Sequence, residues 1–249
     1  MRSHALSVFL CGLCGVIGAS PALAQERIRI GVNAARQSTT TTLTQEQTFD
    51  QYFEEGSFTF DRTTPQDVVF DGGAMVRIWR NLQAGYAISF FENSGSGEIE
   101  ARVPHPQHFN QPRTTSSTLN DITRRELGHH IMVGWTIDAT HGIDFTVFAG
   151  PSFFNTEQTF VTGLTMSLDK EVFPFNELAF PGASTEVLRE TVTGYNAGVD
   201  MTWRFSDNIG VGALFRYAAG KQDFSPTNAS PVEVEVGGLH AGGGLRIAF

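Results

Sequence analysis

Residues 238–249 read GLHAGGGLRIAF. Leu239, Ala241, Gly243, Leu245, Ile247 and Phe249 take every second position, with His240, Gly242, Gly244, Arg246 and Ala248 between them. Alternation of this kind marks a strand with two unlike faces. A strand at a chain end carries a row of unpaired N–H and C=O groups, and chain ends fray. A closed barrel removes both problems, because the last strand then pairs with the first.

Working outward from this stretch, the same period recurs seven times. It runs through RIRIGVNAA (27–35), VVFDGGAMVRIW (68–79), QAGYAISFF (83–91), ELGHHIMVGWTI (126–137), IDFTVFAGPSFF (143–154), TVTGYNAGVDMTWRF (191–205) and IGVGALFRYAAG (209–220). About eight strands result, and these stretches reach the roughly 9–11 residues that a tilted membrane strand needs. The connections alternate in length. Residues 80–82, 138–142 and 206–208 are short polar turns, whereas 38–66, 92–125, 155–190 and 220–232 are long. Short turns at one end and long loops at the other describe an antiparallel up-and-down transmembrane β-barrel with both termini on the short-turn side. Extra hairpin strands within 92–125 or 155–190 would raise the count to ten.

The two faces decide between a soluble and a membrane barrel. One face of each stretch is apolar or aromatic. The other carries glycine, small polar residues and the charges Arg29, Asp71, Arg77, Asp144, Asp200, Arg204, Arg216 and Arg246. A soluble barrel would put the apolar face inside; here the charged face suits a narrow lumen, where opposite charges pair because an isolated buried charge is costly. Trp79, Trp135, Trp203, Phe205 and Phe249 gather near the short turns, as an interfacial girdle requires. All but Trp79 have the outward parity; Trp79 counts inward, so either the register slips there or its ring caps the lumen.

The amino terminus fits export. Arg2 and His4 precede the apolar run ALSVFLCGLCGVIGA, and Ala22-Leu23-Ala24 forms a small-x-small cleavage box. This is the plan of a secretory signal peptide, with residues 1–24 removed and a single barrel domain over 25–249. Both cysteines, Cys11 and Cys14, lie in that leader, so disulfides cannot staple the exported part. The whole chain carries 26 acidic against 17 basic residues, a net of −9, which argues against nucleic acid as a partner.

With the leader ending in Ala22-Leu23-Ala24, the eight alternating stretches and the closing GLRIAF ending on Phe249, the chain resembles the small outer-membrane β-barrel domains of Gram-negative bacteria, the OmpA/OmpX-like group. The resemblance implies residence in the outer membrane, contact with its lipid and lipopolysaccharide, and delivery by the outer-membrane assembly machinery. In that group the final aromatic strand is the sorting signal, which falls here on Leu245, Ile247 and Phe249. The group's peptidoglycan-binding domain has no counterpart in these residues, so the resemblance implies no cell-wall anchoring.

Candidate chemistry is sparse. The stretch 38–66 holds Glu46, Asp50, Glu54, Glu55 and Asp61 against Arg62, without the spacing of a calcium loop, and reads as a solvated acidic surface loop. Residues 98–113 carry Pro104, Pro106 and Pro112 with His105 and His108, two imidazoles without a third ligand. His129 has lipid-facing and His130 lumen-facing parity. A wall histidine could serve an enzyme of the lipid A deacylase or omptin type, but no serine is placed beside either by sequence context. The lumen arginines with His240 suggest an anion path, although a barrel of about eight strands fills its interior with side chains. The expectation is therefore a non-enzymatic outer-membrane barrel that displays long loops for envelope integrity or surface interaction, with no cofactor or metal. An enzyme using His129 or His130 and a narrow channel are its rivals.

Overall fold

The structure is a computed structural model; it describes residues 28–38, 41–139, 142–165, 173, 175, 182–227 and 229–249. The expected leader lies outside the described residues. Among the described residues ten strands run in chain order: β1 (Ile28–Gln37), β2 (Thr41–Gln51), β3 (Glu54–Thr64), β4 (Val68–Trp79), β5 (Leu82–Val103), β6 (Arg113–Asp138), β7 (Ile143–Thr165), β8 (Gly182–Arg204), β9 (Ile209–Phe224) and β10 (Val232–Ala248). All pairings are antiparallel. β1 lies between β10 and β4, and β4 through β10 then follow one another in sequence order, so eight strands close a ring. The remaining two, β2 and β3, form a hairpin that joins the wall through β3 and the upper part of β5.

The quoted terminal stretch closes that ring. Arg29 pairs with Ala248 and Gln37 with His240. At the seam Phe249 N–H donates to the Ile28 carbonyl at 2.9 Å, and Ile28 N–H returns a bond to the Phe249 carbonyl. The last residue is therefore held by the first strand, and its ring stands exposed on the outer wall.

Below the level of Tyr86, Tyr195 and Tyr217 the outer wall is apolar. Ile131, Val133, Trp135 and Ile137 on β6, Phe145 and Val147 on β7, Met201 and Trp203 on β8 and Leu245 and Ile247 on β10 are all exposed, while His130, Thr136, Asp144, Thr146 and Thr202 are buried inside. Leu127 to Ile137 spans about 25 Å at ~3.3 Å per residue and a tilt of ~40°, the height of a barrel's hydrocarbon band. Trp79 follows the first of the two alternatives that its parity left open. The register shifts between Arg77 and Trp79, and the bulge turns Trp79 outward to 60 % exposure, so it belongs to the girdle and does not cap the lumen.

A correction concerns the long connections. Residues 92–125 and the described parts of 155–190 are mostly not loops; β5, β6, β7 and β8 run on for 22, 26, 23 and 23 residues, about twice what the bilayer requires. Nor is 38–66 a solvated acidic loop. It folds into β2 and β3, whose Leu43, Phe58 and Phe60 enter a core with Ile99, Val103, Ile122, Phe154, Phe160, Val192, Phe224 and Val234. In this upper half the sides are exchanged: Ile99, Ala101 and Val103 point in while Glu98, Glu100 and Arg102 point out. Gly97 makes the packing possible, since a Cβ there would come within 2.4 Å of the Phe60 ring.

Candidate functional site

The charged face of the lower barrel converges in the lumen. Arg29 on β1 reaches across the ring to Asp144 on β7, with Nη1 donating to Oδ1 at 2.8 Å and Nη2 to Oδ2 at 3.0 Å. Arg204 on β8 approaches the same carboxylate at 3.6 Å. Arg216 on β9 pairs with Asp71 on β4, and Arg246 on β10 pairs with Asp200 on β8. Asn33 links two of these pairs by donating to Asp71 at 3.0 Å and accepting from Arg246 Nη1 at 2.7 Å. Seven of the eight charges picked out by parity thus meet in ion pairs; Arg77, half-buried on β4, makes none among the described residues. Glycine makes the room: a Cβ at Gly212 would fall 2.7 Å from the Arg246 guanidinium. Except for Arg204–Asp144 on the adjacent β8 and β7, these pairs join strands that are not neighbours, so they tie separate parts of the wall together in a space water hardly enters. Removing one partner would leave a charge stranded there. The free volume amid them is about 50 Å³, enough for a few waters at most and far below an open pore.

His130 sits above this network, fully buried. Its Nε2 meets Ser89 Oγ at 2.9 Å and its Nδ1 meets Ser152 Oγ at 2.8 Å, and Asn196 Nδ2 donates to the same Ser152 oxygen. Sequence context had placed no serine beside the histidine pair. Parity put Ser89, Ser152 and Asn196 on the inner face, but only strand register sets them around one imidazole. His129 faces outward, 2.6 Å from Tyr86 Oη and 3.4 Å from Asn155 Nδ2. His240 is buried on β10, with neither ring nitrogen hydrogen-bonded. Leu245, Ile247 and Phe249 share the exposed outer wall.

A second buried charged group marks the boundary between the two halves. Arg124 and Glu126 on β6 pair at 2.6 Å and cross to β10, where Arg124 donates to the Glu235 carbonyl and Glu126 accepts from Gly237 N–H at 3.0 Å. Nearby, Arg62 on β3 donates to Asn93 Oδ1 at 3.0 Å, and Asn93 donates to Asp67. Burial, and then the positive Arg124, pull the Arg62 pKa down to about 10, which leaves it charged at neutral pH. Over the top of the core Gln45 on β2 bonds both backbone groups of Val161 on β7, so the hairpin is fastened across the barrel mouth. His105, also buried, accepts Gln107 and His108 N–H groups through Nδ1 and so braces its own turn. Among the described residues no three histidine, cysteine or carboxylate side chains gather as a metal site.

On the outer wall, Glu92, Arg125, Glu157 and Arg189 form one row of alternating charge across β5 to β8 directly above the apolar belt. An apolar band outside, a girdle below and a charge row above define a wall that stands in a bilayer. The chain has the fold of a small outer-membrane β-barrel. OprG, an outer membrane protein of Pseudomonas aeruginosa, superposes with a TM-score of 0.51 at 8 % identity, covering 90 % of this chain and 96 % of that one. Neisserial surface protein A gives 0.38 at 12 % identity over 89 % and 97 %, and Ail of Yersinia pestis gives 0.35 at 8 % over 88 % and 99 %. No family model and no curated protein matches the sequence. With that fold and that wall, the protein resides in the outer membrane of a Gram-negative bacterium, with its short turns toward the periplasm.

Proposed function

We propose that this barrel is a non-enzymatic surface protein whose upper half is a rigid extracellular platform for contact with partners outside the cell. One observation carries the reading: strands β5 to β8 continue about a membrane's thickness beyond the bilayer and are filled with their own apolar core, under the fastened β2–β3 hairpin. A protein that needed only to seal or brace the membrane would have no use for that packed extension. Residues 1–24 serve as the export signal, and Leu245, Ile247 and Phe249 present the final strand to the assembly machinery. Lipid and lipopolysaccharide surround the belt.

The experiment is a strain lacking the protein, complemented with the full chain or with residues 104–112 at the β5–β6 tip replaced by a short Gly-Ser turn. Binding of whole cells to immobilised surfaces should fall with the replacement while resistance to detergent stays intact. Lost detergent resistance with unchanged binding would move the role to envelope integrity. Two rival readings have direct tests. Among the described residues the Ser89–His130–Ser152 group is the arrangement that would favour an enzyme, and its burial weighs against substrate access; an altered lipid A acylation profile in His130→Ala would revive it. Conductance in planar bilayers that changes with Arg204→Ala would revive the channel.

A further inference from the structure

Above the pair Gly194–Gly220, strands β8 and β9 part company. β8 continues against β7 as far as Gly182, and β9 continues against β10 as far as Phe224. A recess of about 350 Å³ opens in the wall where they diverge. Its floor lacks side chains at Gly194, Gly220, Gly237 and Gly238, and is completed by the buried Ala218 and Val236. The floor is built for openness: Gly237 has φ +85°, and a Cβ there would lie 2.2 Å from the Ala218 carbonyl oxygen.

The height of the recess identifies what it meets. Tyr195 and Tyr217, with ring centroids 6.3 Å apart, stand at its lower rim in the lipid-facing wall. Lys221 and Glu235 stand at its upper rim, where the outer wall turns charged. The recess therefore lies at the depth where acyl chains begin beneath the headgroups of the outer leaflet. The rim does not make an anion site, because the Lys221 ammonium is already held by Glu233 at 3.0 Å and Glu235 at 2.6 Å. What remains is a mainly apolar slot, with Thr193 at its edge, continuous with the membrane and backed by Val192, Ala218 and Val236 of the upper core.

We propose that the recess between β8 and β9 seats one acyl chain of an outer-leaflet lipid. The chain bound there is ordered against the glycine floor and passes between the two tyrosines.

The full-length protein, reconstituted in vesicles containing a phospholipid with a diazirine on its acyl chain, is irradiated and the adducts are mapped by mass spectrometry. Adducts on 193–195, 217–221 and 235–238 should clearly exceed those at equal depth on β5 and β6. Ala219→Phe, which fills the recess from an outward-facing position, should bring labelling there down to the level of the opposite wall; Thr193→Phe is a second filling variant should the first fail to assemble. Even labelling around the barrel overturns the proposal. So does labelling of the recess by a water-soluble reagent added from outside with no lipid adducts, which would assign the slot to an extracellular solute or peptide.

Discussion

The lower and upper halves of this molecule are built from the same strands with their sides exchanged. Along β6, Ile131, Val133 and Trp135 face outward and His130, Met132 and Thr136 inward; further up, Ile122 is buried and Thr123 and Arg125 are exposed. Along β5 the inner face passes from Gln83 and Ser89 to Ile99, Ala101 and Val103. The solvent outside accounts for the difference. In hydrocarbon the outer wall gains nothing by being polar, so polar groups are confined to the lumen and must satisfy one another there. In water the ordinary hydrophobic effect returns and draws the apolar side chains inward. The Arg124–Glu126 pair, held to Gly237 and Glu235 of the opposite wall, lies where one regime gives way to the other.

The two halves should break in different ways. The largest effect is expected from Asp144→Ala, which takes the bidentate partner from Arg29 in the lumen and should cost about 3–5 kcal/mol; urea unfolding of the lipid-reconstituted protein measures it. Phe60→Ala opens a cavity in the upper core at about 3–4 kcal/mol. Its mark should be protease sensitivity confined to the extracellular half, with the membrane barrel still compact on a semi-native gel. A charge placed outside separates the regimes directly. Val133→Arg, in the hydrocarbon band, should cost about 2–4 kcal/mol, whereas Glu98→Lys on the outer face above it should stay within about 0.5 kcal/mol. Equal costs for the two would deny that the outer solvent differs. Gln45→Ala leaves the Val161 backbone groups unpaired and should weaken the upper half by about 1–3 kcal/mol, seen as faster amide exchange at 160–162. The smallest effect is a pH dependence. The Asn93 side chain and the Val68 N–H hold the Asp67 pKa below the usual carboxylate value. Its folded pKa lies below its unfolded one, so this stabilisation is present at neutral pH and is lost as pH falls through the folded pKa. Asp67→Asn should remove that slight acid sensitivity in the same exchange experiment.

Much of the membrane half was legible in the sequence because its physics is local. Alternation needs only neighbours in sequence, and one face of each stretch carried every charge that later met in the lumen. The terminal strand revealed closure through its aromatic end and unprotected edge. The upper half was harder to read. In 38–66 the apolar residues Leu43, Phe58 and Phe60 are diluted by Thr, Gln and Glu, so the segment looks solvated until its partners on β5 and β7 are known. Parity alone did not place Trp79, because a one-residue bulge reverses parity without leaving a compositional mark. The serines around His130 escaped because they sit on the two strands that flank it, and the cross-strand register that brings them to one ring is not written along any one strand.

By itself the sequence determined the strand period, the segregation of charge to one face and the seam at Phe249, since each follows from covalent neighbours and the two-residue repeat of an extended chain. Only the tertiary structure decided which arginine meets which aspartate, where the two faces exchange roles and where β8 and β9 part. Those depend on stagger and on contacts across the ring, which the order of residues along one strand does not encode.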